Sequence, residues 1–166
     1  MTLTVRRPQT DELSRLRMLY ELSFPESERF DFDKLLRQTD DTNGFRVICD
    51  DGFCGLTYLV YSDAGLFILY LAVSPERRNY GIGSQVLTKL KSENPGMCIF
   101  LNVEPPEGGD IEIRKRRIGF YGRNGFSSNG LITTPDGERY ELLSFGGRPE
   151  PEKIGDFFES LGKTVE

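Results

Sequence analysis

The sequence predicts one α/β domain built on a mixed, mostly antiparallel sheet flanked by helices, and three observations carry that expectation. An alternating stretch from Leu3 to Arg7 leads into apolar residues at helical spacing, Leu13, Leu16, Tyr20 and Phe24, which Pro25 stops. Three consecutive β-rich runs, "FRVICD", "FCGLTYLVY" and "LFILYLAV", then follow with only "DG" and "SDAG" between them, the pattern of an antiparallel meander. The last run enters a glycine-containing turn, a helix with Val86, Leu87 and Leu90 on one face, and a further apolar run, "MCIFLNVE", which together read as a strand-helix-strand crossover.

The remaining elements fit around this frame. Phe32, Leu35 and Leu36 suggest a short second helix after the charged segment "PESERFD", expected as a mobile, solvent-facing cover. "IEIRKRRIGFYGRNGF" reads as a helix ending near Gly125, and "GFSSNGLITT" and "RYELLSF" as strands joined by a "PDG" turn. Ile154, Phe157, Phe158 and Leu161 follow i, i+3, i+4, i+7 spacing. The expected division is therefore a domain over 1–147 and an amphipathic tail helix over 148–166, its stripe buried on its own core or on a partner, with a homodimer as one possibility.

In the meander, a two-residue turn at Asp51 and Gly52 would oppose Cys49 to Cys54, Val47 to Leu56 and Phe45 to Tyr58, with all six side chains on the core face. Opposed cysteines lie at a separation a disulfide can span, but two small buried thiols are the expected reading in a reducing compartment.

Composition narrows the functional classes. At 166 residues, with 37% hydrophobic and 28% charged residues, the chain is long enough to fold alone without disulfide or metal staples. A net charge of -5 argues against a nucleic-acid partner, because phosphate contacts need a basic field. The N-terminal stretch lacks an apolar leader pattern, and the longest apolar run, Leu66 to Val73, is too short to span a bilayer, so the expectation is a cytoplasmic protein without a membrane partner. Cys49, Cys54 and Cys98 lack the spacing of a zinc site. There is no histidine, which removes Ser-His-Asp and Cys-His nucleophile pairs, histidine-ligated metals and the usual base near neutral pH. No metal is expected.

The stretch "SPERRNYGIGSQVL", Ser74 to Leu87, carries the most chemistry. A strand that passes through a glycine turn into a helix gathers backbone NH groups and the positive end of the helix dipole at one point, which attracts phosphate. Gly81 and Gly83 allow close approach, and Arg77 and Arg78 supply charge that could pair with phosphate oxygens. Neither the Gly-Lys-Ser/Thr ending of a P-loop nor Gly-x-Gly-x-x-Gly is present, since position 86 is valine.

In this context the chain resembles the GNAT acetyltransferase superfamily. "RNYGIGS" at Arg78 to Ser84 looks like that family's acetyl-CoA pyrophosphate loop, with "LAVSPE" before it as the fourth strand, and "FYGRNGF" at Phe120 to Phe126 looks like its Tyr-x-x-x-Gly-Phe segment. The resemblance implies that Leu71, Ala72 and Val73 offer backbone hydrogen bonds to pantetheine. It further implies that Arg78, Asn79, Tyr80, Gly81, Ile82, Gly83 and Ser84 hold the pyrophosphate, and that Tyr121 donates a proton to the leaving CoA sulfur. Two positions depart from the family pattern: Arg114 and Arg117 stand where asparagine and alanine are often found, and these arginines could meet CoA phosphates instead. Within the run "RKRR", Glu112 and Arg116 are also spaced to pair in solvent.

The implied reaction is transfer of an acetyl group from acetyl-CoA to an amine by direct attack. The amine must lose a proton and the oxyanion needs an NH donor, for which the backbone near Val73 is the candidate. Glu104, on the strand face of Phe100 and Asn102, could take that proton, with Glu26 and Glu28 as rivals. The acidic balance favours a cationic acceptor, either a small molecule such as a polyamine or amino sugar, or a protein lysine. The alternative is a CoA-binding or regulatory module of the same fold without turnover.

Overall fold

The computed structural model describes residues 3–104, 111–135 and 137–165. Among the described residues seven strands form: β1 (Thr4–Arg6), β2 (Gly44–Cys49), β3 (Phe53–Ser62), β4 (Gly65–Val73), β5 (Ile99–Val103), β6 (Ser127–Thr133) and β7 (Arg139–Phe145). They hydrogen-bond in the order β1-β2-β3-β4-β5-β7-β6. Five α-helices accompany them among the same residues: α1 (Leu13–Ser23), α2 (Phe32–Arg37), α3 (Ile82–Glu93), α4 (Ile111–Arg123) and α5 (Pro151–Val165). The β4–β5 pair is parallel, as the α3 crossover demands, while β1–β2, β2–β3, β5–β7 and β6–β7 are antiparallel. The mixed sheet and flanking helices are those expected; of the "PDG" turn between β6 and β7, Asp136 lies outside the described residues.

By internal contacts the chain divides into two compact units, one of residues 1–60 and 68–93 and the other of residues 61–67 and 94–164, so that β4 contributes to both. In the first unit, Tyr20 of α1, Phe32 of α2 and Phe45 of β2 bury their rings together, with centroid separations of 5.1–5.9 Å. Edge-to-face and tilted contacts of this kind add to plain area burial. Phe32 and Leu35 are buried, so α2 is a packed element and not the solvent-facing cover expected from its charged surroundings. Asp31 caps it by accepting from the Lys34 amide at 2.9 Å, which lets a helix of only six residues persist.

The meander departs from the expected register at one place. Phe45 opposes Tyr58 and Val47 opposes Leu56, but beyond Ile48 the pairing shifts and Cys49 opposes Phe53. A bulge leaves Cys54 unpaired in the ladder; its thiol donates to the Ile48 carbonyl at 3.3 Å, while the Cys49 sulfur accepts from Arg6 at 3.4 Å. The directly opposed cysteine pair therefore does not form, and all three cysteines are free thiols.

The second unit packs around Phe67 and Phe100. Phe157 of α5 lies 5.0 Å from Phe67 and 5.4 Å from Phe100, and Phe158 lies 5.5 Å from Phe67. Ile154, Phe157 and Phe158 are buried, so the stripe of the tail helix docks on the chain's own core. Gly65, at φ +129°, carries β4 past Cys98 so closely that a Cβ would sit 2.2 Å from its carbonyl oxygen, and the Leu66 amide donates to that oxygen at 2.9 Å. Phe157→Ala should cost about 3–5 kcal/mol of stability, read as a lower urea midpoint with unchanged slope. An unchanged midpoint would show that α5 contributes nothing to this core.

Candidate functional site

The first unit holds the predicted loop. β4 ends at Val73, a short 3₁₀ turn spans Pro75–Arg77, and α3 begins at Ile82. Between them Asn79 (φ 70°) and Gly81 (φ 78°) both adopt left-handed backbone. Asparagine tolerates that region better than other side-chain-bearing residues, and glycine enters it without strain. A Cβ at Gly81 would meet nothing within 4 Å, so the glycine serves the turn and leaves the space before α3 open. The helical ladder starts with the Gln85 amide donating to the Gly81 carbonyl at 3.0 Å. The amides ahead of it therefore face out of the helix's N-terminal end, the geometry that attracts phosphate.

The two arginines of the motif do different things. Arg78 is exposed, and its Nε donates to the Val73 carbonyl at 3.0 Å, which holds the guanidinium beside the loop. Arg77 does not reach outward as expected. It donates to the Asp50 carbonyl and lies 3.6 Å from the Asp50 carboxylate, which is 10% exposed, so it braces the loop against the β2–β3 turn. The Ser74 amide donating to the Cys54 carbonyl at 2.8 Å adds a second tie. This brace is invisible to local spacing because its partners are distant in sequence. Arg77→Ala strands a buried carboxylate, and we expect about 1–3 kcal/mol of destabilisation together with weaker binding of any anion held by the loop. Calorimetry and urea melts check both; unchanged values would mean that the brace is idle.

Leu71, Ala72 and Val73 lie beyond the last rung of the β4–β5 ladder, which runs over Leu66–Ile99 and Phe67–Phe100. Ala72 is buried and Leu71 and Val73 are half-buried. Tyr80 projects from the loop with 73% exposure. Ile82 is buried, and Gly83 and Ser84 are half-buried in the first turn of α3.

Glu26 and Glu28 lie in a 3₁₀ turn between α1 and α2, exposed and half-buried respectively. Two buried phenols pin this segment: Tyr70 of β4 donates to the Glu28 carbonyl at 2.7 Å, Tyr20 donates to the Phe30 carbonyl at 2.7 Å, and the Phe30 amide donates to Tyr70 at 3.3 Å. Burial raises the pKa of both phenols above the ordinary value, so they remain protonated donors. The two phenols tie α1 and β4 to the segment that carries Glu26 and Glu28, whereas helical spacing in the sequence shows Tyr20 only as a helix-face residue.

Glu104 and Tyr121 belong to the second unit. Glu104, just past β5, is paired with Arg114 of α4. A carboxylate held by a guanidinium must loosen that pairing to accept a proton. Arg114 is thus engaged with a carboxylate, and the Glu112–Arg116 pair allowed by helical spacing is not among the ion pairs of the described residues. Tyr121 sits half-buried near the end of α4, its ring 5.1 Å from Phe120 and 5.6 Å from Phe126. Its carbonyl accepts the amides of Asn124 and Phe126, both at 3.0 Å, closing the helix before Gly125. Burial pushes its phenol up to about 12, against a smaller lowering by the positive charge of Arg117.

Among the described residues no cluster of histidine, cysteine, aspartate or glutamate could hold a metal, and no helix is long and apolar enough to cross a membrane. A turn without a side chain at Gly81, an N-terminal helix end and a fixed arginine beside them suit a bound diphosphate. The sequence model of the acetyltransferase (GNAT) domain matches residues 41–128, which spans this loop and Tyr121. The chain belongs to the GNAT acetyltransferase family. It is 29% identical over 124 residues to YjbC of Bacillus subtilis (strain 168), a protein whose name assigns it to the acetyltransferases; the match covers 70% of this chain and 62% of YjbC. The fold is also similar to that of a GNAT-family protein from Bacteroides thetaiotaomicron, with a TM-score of 0.76 and 23% identity over 99% of this chain and 98% of the other. The PaiA N-acetyltransferase of Thermoplasma acidophilum, solved in complex with coenzyme A, gives a TM-score of 0.59 at 18% identity over 87% of this chain and 99% of its own.

Proposed function

We propose that the protein transfers an acetyl group from acetyl-CoA to the nitrogen of an amine by direct attack. The observation that carries this reading is the Arg78–Ser84 loop, where left-handed Asn79 and Gly81 deliver the chain into the N-terminal end of α3. The amides of that turn, with Arg78, bind the pyrophosphate, and the backbone of Leu71, Ala72 and Val73 holds the pantetheine arm. The complex of PaiA with coenzyme A supports a CoA cosubstrate for this fold.

The chain's own groups then divide the proton work. A protonated amine cannot attack, so Glu104 accepts its proton directly or through water, with Glu26 and Glu28 on the pinned α1–α2 segment as the other carboxylates within the reading. The Val73 amide stabilises the oxyanion as the carbonyl becomes tetrahedral. When the carbon–sulfur bond breaks, Tyr121 gives its phenolic proton to the sulfur. No metal takes part. The acceptor is a cationic amine, small or on a protein, in keeping with the net charge of -5, and the protein works in the cytoplasm, where its free thiols stay reduced.

Thiol release from acetyl-CoA across a panel of polyamines, amino sugars and lysine peptides tests the reading. Amine-dependent release supports it. Tight acetyl-CoA binding with no amine-dependent release would favour a CoA-binding module instead.

A further inference from the structure

A cavity of about 760 Å³ opens within the second unit, between the β6–β7 hairpin and the start of α5. Ile132, Leu142, Ile154 and Phe158 form its apolar wall, and Arg148 stands at its polar side. That size and mixture are those of a small-molecule site.

Two features separate it from a packing defect. Gly155 lines the cavity from inside α5, yet a Cβ there would meet nothing within 4 Å. A glycine inside a helix costs about 1 kcal/mol relative to alanine, and no close approach of another element requires this one. Its effect is to keep volume open at the wall. The second feature is the orientation of Arg148. Its Nε donates to Asn129 Oδ1 at 2.8 Å, Asn129 Nδ2 donates to Ser144 Oγ at 2.8 Å, and Ser144 Oγ donates to the Gly147 carbonyl at 2.8 Å. This chain of bonds fixes the guanidinium. Glu150, the acidic residue on the lining, stands just before α5 and lies 3.6 Å from Lys153 in the first turn of that helix, so its charge is matched locally.

We propose that this cavity binds a small amphipathic carboxylate, its apolar body against Ile132, Leu142, Ile154 and Phe158 and its carboxylate on Arg148. The planar fork of a guanidinium matches a carboxylate, whereas an ammonium group would be repelled. The site does not depend on the acetyltransferase reading and stands or falls separately.

Octanoate is the probe, with octylamine and octan-1-ol as tail-matched controls, titrated into the full chain by calorimetry. Octanoate should bind with a Kd below about 1 mM and octylamine at least tenfold more weakly. Arg148→Gln, at an exposed position, should weaken octanoate at least tenfold without disturbing the fold. Gly155→Leu should abolish binding by filling the space while leaving the unfolding midpoint no lower than that of the native sequence. The proposal is overturned if octanoate gives no binding up to about 10 mM, if octylamine binds as well, or if neither substitution changes the affinity. Competition with acetyl-CoA that persists in Gly155→Leu would place octanoate elsewhere and would also overturn it.

Discussion

Gly83→Asp should fold normally and lose acetyl-CoA. Gly83 is the second residue of α3, in the turn whose amides face the proposed phosphate site. A carboxylate there covers those amides and places negative charge where a diphosphate must sit, so repulsion adds to the lost hydrogen bonds. Folding is spared because an acidic residue in the first helical turn complements the dipole. We expect affinity to fall at least about 100-fold, roughly 2.7 kcal/mol, by calorimetry on the folded variant. Gly83→Ala, which adds a methyl group without charge, should retain most of the binding. Equal affinities for Gly83→Asp and the native sequence would remove the loop from the site.

The second large effect is expected at Tyr121. Its phenol is pushed up to about 12 by burial, so it carries its proton throughout the working pH range and needs no prior charging to act as an acid. Tyr121→Phe keeps the ring against Phe120 and Phe126 and removes only the hydroxyl. Acetyl-CoA affinity should be preserved, while single-turnover acetyl transfer falls at least tenfold, about 1.4 kcal/mol in barrier, within the range of general acid catalysis. An acid with a raised pKa is lost only on the alkaline side, so any falling limb due to Tyr121 lies near pH 12, at a pKa of about 12, and disappears in Tyr121→Phe. A native rate in the variant would leave Tyr121 as a packing residue.

The elements that position the loop were legible because each declares itself locally. The meander shows in its turns, and the start of α3 shows in the glycines of the short motif, of which Gly81 takes a left-handed φ of 78° in the structure. Helical spacing likewise found Ile154, Phe157 and Phe158, although spacing alone could not say what they pack against. What escaped is non-local or depends on a single inserted residue. The bulge at Cys54 shifts the register between Ile48 and Cys49 and undoes a pairing that was correct two rungs earlier. Arg77 looks like a phosphate ligand in sequence, yet its carboxylate partner stands on another turn of the chain. The Tyr20–Tyr70 clamp joins a helix to a strand across fifty residues, and neither tyrosine announces the other. Glu104 could be named a candidate base, but only the packing of α4 beside β5 reveals Arg114 as its partner.

Acetyl transfer is tested most directly by following the label of [1-¹³C]acetyl-CoA in the presence of the best amine of the panel. The predicted result is a carbonyl signal that passes from thioester to amide in step with release of an equal amount of free thiol, at a rate proportional to protein. Label that appears only as acetate, or a thioester that stays intact with every amine while calorimetry still records acetyl-CoA binding, would contradict it.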